Sequence, residues 1–255
     1  MKIKLLIALA IALIAPLAHA AGELKAIACL YELQAETYRF ARLQLQVGMV
    51  TNPDLTGKLR KQIKETTQEL FLNLHESQPG FNAVGLQSQY QRLSDQVADY
   101  VSEAVTAGGS KNMGPLRAKQ ASLLKLMDES AKLVAQKAPS PNNAGVVLIG
   151  SAKMNVERLA HDFEFCDKDC AQVLPGQVVQ IEKNIEDMRS SLGKHFSKSS
   201  YDLAKNQMVF LRMAVDSRAR ATSQDLAQSN LIVTCTYLWG LIDEVLDSYT
   251  EKSGT

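Results

Sequence analysis

Apolar residues recur every three to four positions through almost the whole chain after residue 22, and no run of alternating apolar and polar residues stands out. This spacing is typical of amphipathic α-helices, each of which buries one face. Residues 218–225 contain neither glycine nor proline, so the pattern leaves open whether the last two helices are one. The predicted helices cover approximately residues 23–50, 54–77, 85–107, 115–137, 144–165 and 177–196, a stretch from about residue 200, and the end of the chain.

Prolines and glycines mark the predicted breaks between these helices. Asn52-Pro53 has the residue types preferred at a helix start, and Pro79-Gly80 is expected to end the second helix. The segment 138–143 contains two prolines together with serine and asparagine, and it is the strongest linker signal in the chain. The chain therefore divides naturally near its middle.

The helix lengths and the short connections predict the architecture. Long helices joined by short connections must lie antiparallel to their neighbours. We predict an all-α fold of two tandem antiparallel up-and-down four-helix bundles, and one elongated shared core is the alternative. The first bundle covers residues 21–138, the linker residues 139–144 and the second bundle residues 145–252.

A short stretch of sequence around Arg39 recurs around Arg158. In each copy the arginine is followed by an apolar residue and an alanine, and the two arginines are 119 residues apart. That separation is about half of the chain that follows the first twenty residues. The recurrence indicates a tandem duplication, in which each half of the chain forms a similar unit.

The first twenty residues have the pattern of a secretory signal peptide. Lys2 and Lys4 precede an apolar run at residues 5–17, and Ala18-His19-Ala20 is a small-residue cleavage site. The apolar run is short for a bilayer-spanning helix, although an uncleaved anchor is the alternative. We therefore expect a cleaved signal peptide at residues 1–20 and a mature protein located in the periplasm.

The composition excludes several classes of function. The chain has 28 basic and 27 acidic residues and a formal net charge of +1, without the clustered basic face that nucleic-acid binding requires. The sequence also lacks a nucleophile elbow, a zinc-protease motif and a phosphate-binding glycine loop. We expect no nucleic-acid partner, no cofactor and no enzymatic activity.

Four cysteines suggest disulfides, because an exported protein folds in an oxidising compartment. Cys166 and Cys170 could bridge the turn after the fifth helix, and Cys29 and Cys235 could then join the first and last helices. This pairing is the preferred one, and other connectivities stay open. The alternative is a metal site that combines His161 with Cys166, Cys170 and either Asp162 or Asp169.

The second copy of the repeat resembles the signature helix of the PilJ and NarX periplasmic sensor domains, the N-terminal domain family of type IV pili methyl-accepting chemotaxis transducers. Gly150, Met154, Arg158 and Ala160 match that signature, and Lys153 stands at the place of its first arginine. The first copy is similar to the NarX form at Tyr38-Arg39. The resemblance implies a helical sensor bundle in each half.

The resemblance also implies a ligand and partners. In these sensors the signature helix lines a dimer interface, and an arginine holds nitrate or nitrite near the two-fold axis. By carry-over, Lys153, Arg158 and Arg39 are the candidate ligands for a small oxyanion. A homodimer and a membrane-bound receptor or envelope protein are the implied partners. The alternative is that these side chains form ordinary ion pairs on helix surfaces.

These expectations give one main hypothesis and two alternatives. The main hypothesis is a non-catalytic periplasmic sensor-like or adaptor protein that binds a small anion. The first alternative is a helical interaction module without a small ligand, which would need only an exposed apolar patch. The weaker alternative is a metal carrier that uses the region of His161 and Cys166.

Overall fold

The described part of the chain is all-helical. The computed structural model describes residues 2–107, 114–165, 172–219 and 224–253, with side chains described for residues 22–107, 115–165, 172–218 and 228–250. These ranges contain no strand, and no helical stretch among the residues with described side chains is long and apolar enough to cross a bilayer. The helices are α1 (Lys2–Met49), α2 (Pro53–Ala83), α3 (Gln87–Ala107), α4 (Gly114–Lys137), α5 (Asn143–Phe165), α6 (Leu174–Ser191), α7 (Lys198–Ala219) and α8 (Gln224–Ser253), with a 3-10 turn at Gly193–His195.

The helices predicted from the periodicity are present, and the last two are separate. The helices α7 and α8 pack along each other, which one continuous helix could not do. The predicted linker coincides with the end of α4 at Lys137 and the start of α5 at Asn143. Asn52 caps α2 as expected, because its side-chain oxygen accepts a hydrogen bond from the backbone N–H of Asp54 at 2.9 Å.

The expectation that Pro79-Gly80 ends the second helix is wrong. The helix α2 continues through Pro79 to Ala83, and the chain turns at Gly85, where φ is +73°. Gly80 lies against α1 so closely that an added Cβ would be 2.4 Å from Cβ of Ala26. The glycine therefore serves the close approach of two helices.

The helices α1 and α5 occupy the centre of the molecule. The helix α1 packs against α2, α4 and α5, whereas α5 packs against α1, α6 and α8. Contacts also join α2 to α3, α3 to α4, α6 to α7 and α7 to α8. One contiguous cluster of buried apolar residues draws on all eight helices, so the core continues from the first half of the chain into the second.

The two central helices run parallel and in register. Near their middle, Gly150 of α5 faces Tyr31 of α1, and an added Cβ on the glycine would be 2.5 Å from Cβ of Tyr31. Fifteen residues further along α1, Gln46 donates a hydrogen bond to Glu164 of α5. The two residues of each pair are 119 and 118 residues apart, and Arg39 and Arg158 are 119 residues apart. Equivalent positions of the recurring sequence therefore lie side by side.

Candidate functional site

A polar cavity of about 330 Å³ lies where the two halves of the chain meet. The helix α1 contributes much of its wall, α2 and α8 stand at its sides, and Lys153 reaches it from α5. This volume is within the range of small-molecule sites. We call it the junction cavity, and it is lined by Lys25, Ala28, Cys29, Glu32, Glu36, Arg39, Glu69, Asn73, Lys153, Trp239, Asp243, Leu246, Asp247 and Thr250.

Lys153 is a buried cation whose partners come from two other helices. Its side chain is 1 % exposed, and Nζ lies 2.6 Å from the Glu32 carboxylate of α1 and 2.6 Å from Oδ1 of Asp243 of α8. Nζ also lies 3.7 Å from the centroid of the Trp239 ring, a distance that permits a cation–π interaction. A buried charge requires such partners, and this ammonium group is already saturated by two carboxylates.

Glu36 is a buried carboxyl group with only one of its oxygens in use. Its Oε1 accepts a hydrogen bond from Nη1 of Arg39 at 3.4 Å, whereas its Oε2 is buried and has no hydrogen-bond partner. Burial, together with the nearby charges of Glu157 and Glu32, raises the pKa of Glu36 to about 7 against the opposing effect of Arg39. A buried oxygen without a donor is uncommon in native proteins and needs an explanation.

The charge balance of the junction cavity is negative. Five carboxyl groups and three basic groups line it, so the formal charge is −2 when every group is ionised. Among the described side chains, Glu69 of α2 and Asp247 of α8 form no ion pair. The pKa of Glu32 is raised, chiefly by burial, although Lys153 opposes that shift. An anion that entered here would meet more negative than positive charge.

Trp239 separates the junction cavity from a second, larger one. It is the only tryptophan of the sequence, and its Nε1 is buried without a hydrogen-bond partner. The second cavity has a volume of about 400 Å³, and Arg39 lines both cavities together with this tryptophan. A change in either cavity is therefore expected to change the environment of this one indole ring.

A buried ion-pair network forms the wall of the second cavity. Arg42 of α1 lies 3.4 Å from the Glu157 carboxylate and 3.8 Å from the Glu164 carboxylate, and both glutamates belong to α5. The pKa of Glu164 is raised, with burial as the largest cause and Arg42 opposing it. Because all three side chains are buried, this network holds the two central helices together by charge as well as by apolar packing.

The structure does not assemble the three residues predicted to bind an anion. Arg39 and Lys153 line the same cavity, but each already contacts a carboxylate. Arg158 is 47 % exposed, lies outside this cavity and pairs with Asp162 at 3.5 Å. Each of the three cations is paired with a carboxylate of its own, and they do not share one cavity, so oxyanion binding by these residues stays a prediction.

The sequence did not identify the carboxylates of the junction cavity as site residues. Glu32 and Asp243 are 121 and 90 residues from Lys153, and no local spacing connects them. Glu36 is three residues before Arg39, so the sequence allowed an i, i+3 ion pair between them. The single tryptophan of the chain was a signal that could have drawn attention to this part of α8.

The predicted disulfide between Cys29 and Cys235 is not found. Cys29 and Cys235 are both free and buried in the structure. Cys29 contacts Glu76, whereas Cys235 lies near Arg42, thirteen residues further along α1. A helix rises by about 1.5 Å per residue, so the two thiols are roughly 20 Å apart, too far for a disulfide. Burial raises the pKa of Cys29 to about 12, whereas Cys166 and Cys170 lie outside the described residues.

The described residues give no support to the metal alternative. No group of three or more histidine, cysteine, aspartate or glutamate side chains within the described ranges could hold a metal ion. Nδ1 of His161 lies 2.8 Å from Oδ1 of Asp162, and its ring stacks on Phe165 with centroids 4.2 Å apart. Cys166, Asp169 and Cys170, the other proposed ligands, are outside the described residues.

Comparisons with known proteins leave the function to be argued from this geometry. No family model matches the chain, and neither a curated protein nor a solved structure matches it. The junction cavity, with its buried cation, its unpaired Glu36 oxygen and its single tryptophan, is therefore the basis for a functional proposal.

Proposed function

We propose that this chain is a non-catalytic, exported sensor-like or adaptor protein that binds a small solute in the junction cavity. The observation that carries the proposal is the position of the cavity between helices of both halves of the chain. A solute bound there contacts α1 and α2 of the first half and α8 of the second. Binding can therefore alter how the halves pack, which is the change that a partner protein would read.

The proposal includes the architecture predicted from the sequence, two tandem up-and-down four-helix bundles related by duplication. Its support is the order of packing, since α1 to α4 form one closed set of neighbours and α5 to α8 form another. The parallel contact of α1 with α5 brings the two repeat copies together, as at Tyr31 and Gly150. In the sensor family that the chain resembles, the same helix lines a homodimer interface. We infer that one chain here supplies both sides.

A solute in the junction cavity could couple the two halves of the chain, because α2 belongs to one half, α8 belongs to the other, and both line the cavity. In the part of the chain that the structure describes, α2 and α8 are not among the closely packed helix pairs. A solute that contacts both would link two helices that are not a closely packed pair. A ligand shifts a conformational equilibrium only as far as it prefers one arrangement, so the spacing of α2 and α8 is the quantity to monitor.

An interaction module without a ligand is the second candidate function. Several large apolar side chains on α7 and α8 are exposed, and such side chains mark a protein interface where they form a contiguous patch. They are Leu203, Val209, Phe210 and Met213 on α7, and Val233 and Tyr237 on α8.

Trp239 fluorescence tests the proposed solute binding directly, because it is the only tryptophan and lines the cavity. The purified protein is titrated with nitrate, nitrite, amino acids and aliphatic amines at constant ionic strength. We expect one class of solute to shift the emission saturably. The cavity-filling variant Asn73→Phe should abolish that shift, whereas Leu72→Phe, on the exposed side of α2, should preserve it. A spectrum that no solute changes would reject solute binding and favour the interaction module.

A further inference from the structure

The charges of the junction cavity identify the class of solute, and this inference rests on the solute-binding function proposed above. We propose that the cavity binds an aliphatic polyamine, with one ammonium group held by Glu36 and a second held by Asp247. With every group ionised the lining residues carry a formal charge of −2, and a multiply charged amine would neutralise it. This assignment replaces the small oxyanion expected from the resemblance.

The first observation is the unused oxygen of Glu36. The carboxyl group is 3 % exposed, and its Oε2 has no donor within the protein. A buried acceptor that lacks a donor is destabilising, and a ligand N–H directed at it would remove that penalty. Nitrate and nitrite have no proton to donate, and they would meet like charge at this oxygen when Glu36 is ionised.

The second observation is unneutralised charge at the opposite end of the cavity. Asp247 is exposed and forms no ion pair among the described residues. It lies close enough to Lys25 and Glu32 for its negative charge to contribute to the raised pKa of each. Lys25 itself is engaged by Glu76 at 2.9 Å. A second ammonium group therefore finds an available carboxylate here.

The separation of the two ends selects a long, linear amine. The helices α1 and α8 run antiparallel, and Lys153 links Glu32 to Asp243 at the middle of the cavity. Along the helix axes, Glu36 lies one turn beyond Glu32 on α1, and Asp247 lies one turn beyond Asp243 on α8. Because the two helices are antiparallel, Glu36 and Asp247 lie on opposite sides of Lys153. Two turns of helix span about 11 Å. A single ammonium group cannot bridge that distance, whereas a linear triamine such as spermidine can.

The wall between the two ends suits the methylene chain of such a ligand. Ala28 and Leu246 are buried apolar residues that line the cavity on α1 and α8. The Trp239 ring already lies 3.7 Å from the ammonium nitrogen of Lys153, so the cavity accommodates one cation beside an aromatic face. These apolar side chains and the face of the indole ring offer contacts to the methylene groups of a polyamine, while Glu36 and Asp247 offer contacts to its ammonium groups.

The test is a titration of Trp239 fluorescence in the purified protein with spermidine, putrescine and butylamine, at an ionic strength held constant with sodium chloride. We expect spermidine to bind most tightly, then putrescine, then butylamine. Glu36→Gln and Asp247→Asn should each weaken spermidine binding by about tenfold or more, since a hydrogen bond to a charged group is lost. Glu65→Gln is the matched control, because Glu65 is an exposed glutamate of α2 outside the cavity.

The outcomes separate this inference from the function on which it rests. Equal weakening by Glu65→Gln, or equal affinity for all three amines, would show non-specific attraction to negative charge and overturn the polyamine assignment. A saturable response to an amino acid or to nitrate, with none to spermidine, would overturn the assignment but preserve a solute-binding cavity. A response to no solute at all would overturn both. The melting temperature of each variant shows that lost binding is not lost folding.

Discussion

Gly150 of α5 faces Tyr31 of α1 across the contact between the two repeat copies, 119 residues apart in sequence. Their separation equals that of Arg39 and Arg158. Equivalent positions of the recurring sequence therefore meet each other, which is the arrangement that two identical chains would produce around a two-fold axis. The two copies of the recurring sequence differ at Lys153, whose counterpart is Gln34.

Replacing Gly150 with alanine should destabilise the protein by about 1–3 kcal/mol, because the new Cβ would lie 2.5 Å from Cβ of Tyr31. Neither backbone can shift easily at the centre of the helix packing. Gly57→Ala in α2 is the matched control, since nothing lies within 4 Å of its Cβ position. We expect that control to stabilise the protein by up to about 1 kcal/mol through helix propensity. Urea unfolding measures both, and equal effects would contradict the close α1–α5 contact.

Replacing Lys153 with methionine should destabilise the protein by about 3 kcal/mol, since Glu32 would keep a buried charge without its partner. The double variant Lys153→Met, Glu32→Gln should recover part of that loss, because the uncompensated charge is then absent. Lys61→Met, which removes an exposed i, i+4 partner of Glu65, should melt like the parent protein. If the single and double variants had the same free energy of unfolding, the ion pair would carry no coupling energy.

The periodicity of the sequence was sufficient to predict the helices, because burial of one face requires apolar residues every three to four positions. The repeat also identified the equivalent pair of helices, α1 and α5. The predicted end of the second helix at Pro79-Gly80 was wrong, because the packing partner of a residue cannot be read from a single sequence. Proline and glycine are residue types that usually break a helix. At Gly80, however, the glycine is needed because Ala26 of α1 leaves no space for a side chain.

The charges of the site could be predicted only in part. Lys153 was identified as a candidate ligand, but whether it is free to bind depends on Asp243, which is 90 residues away. A resemblance that assigns positions to cations does not predict which carboxylates surround those cations in the fold. The disulfide between Cys29 and Cys235 was predicted only because the number of cysteines is even. The sequence does not show that roughly 20 Å along the helices separates the two thiols.

Stability should fall as the pH rises from about 5 to 8, with Glu36 as the main cause. Its pKa of about 7 in the folded protein exceeds its usual value of 4.5, so the unfolded chain releases the proton at lower pH. Folding is favoured while the carboxyl group is protonated, and that advantage disappears as the pH passes through 7. The shift corresponds to at most about 3 kcal/mol.

Glu36→Gln isolates this effect, because an amide does not ionise. We expect the variant to be more stable than the parent protein at pH 8 and nearly equal to it at pH 5. The charged groups facing the carboxyl are Arg39 and Glu32 on its own helix and Lys153 and Glu157 on α5, with Glu69 lining the cavity from α2. Thermal melts across this pH range measure the difference, and a difference that does not change with pH would contradict the raised pKa.

The thiols of Cys29 and Cys235 should be unreactive in the native protein and reactive after unfolding. Both are buried, and burial raises the pKa of each thiol, so neither the access nor the thiolate that alkylation needs is present. Iodoacetamide followed by mass spectrometry of peptides, with and without denaturant, locates each modified residue. Single serine variants at each position provide the control, because neither should release a new thiol elsewhere. A peptide pair cross-linked through these two cysteines would restore the disulfide that joins the first and last helices, and it would require α1 and α8 to pack differently.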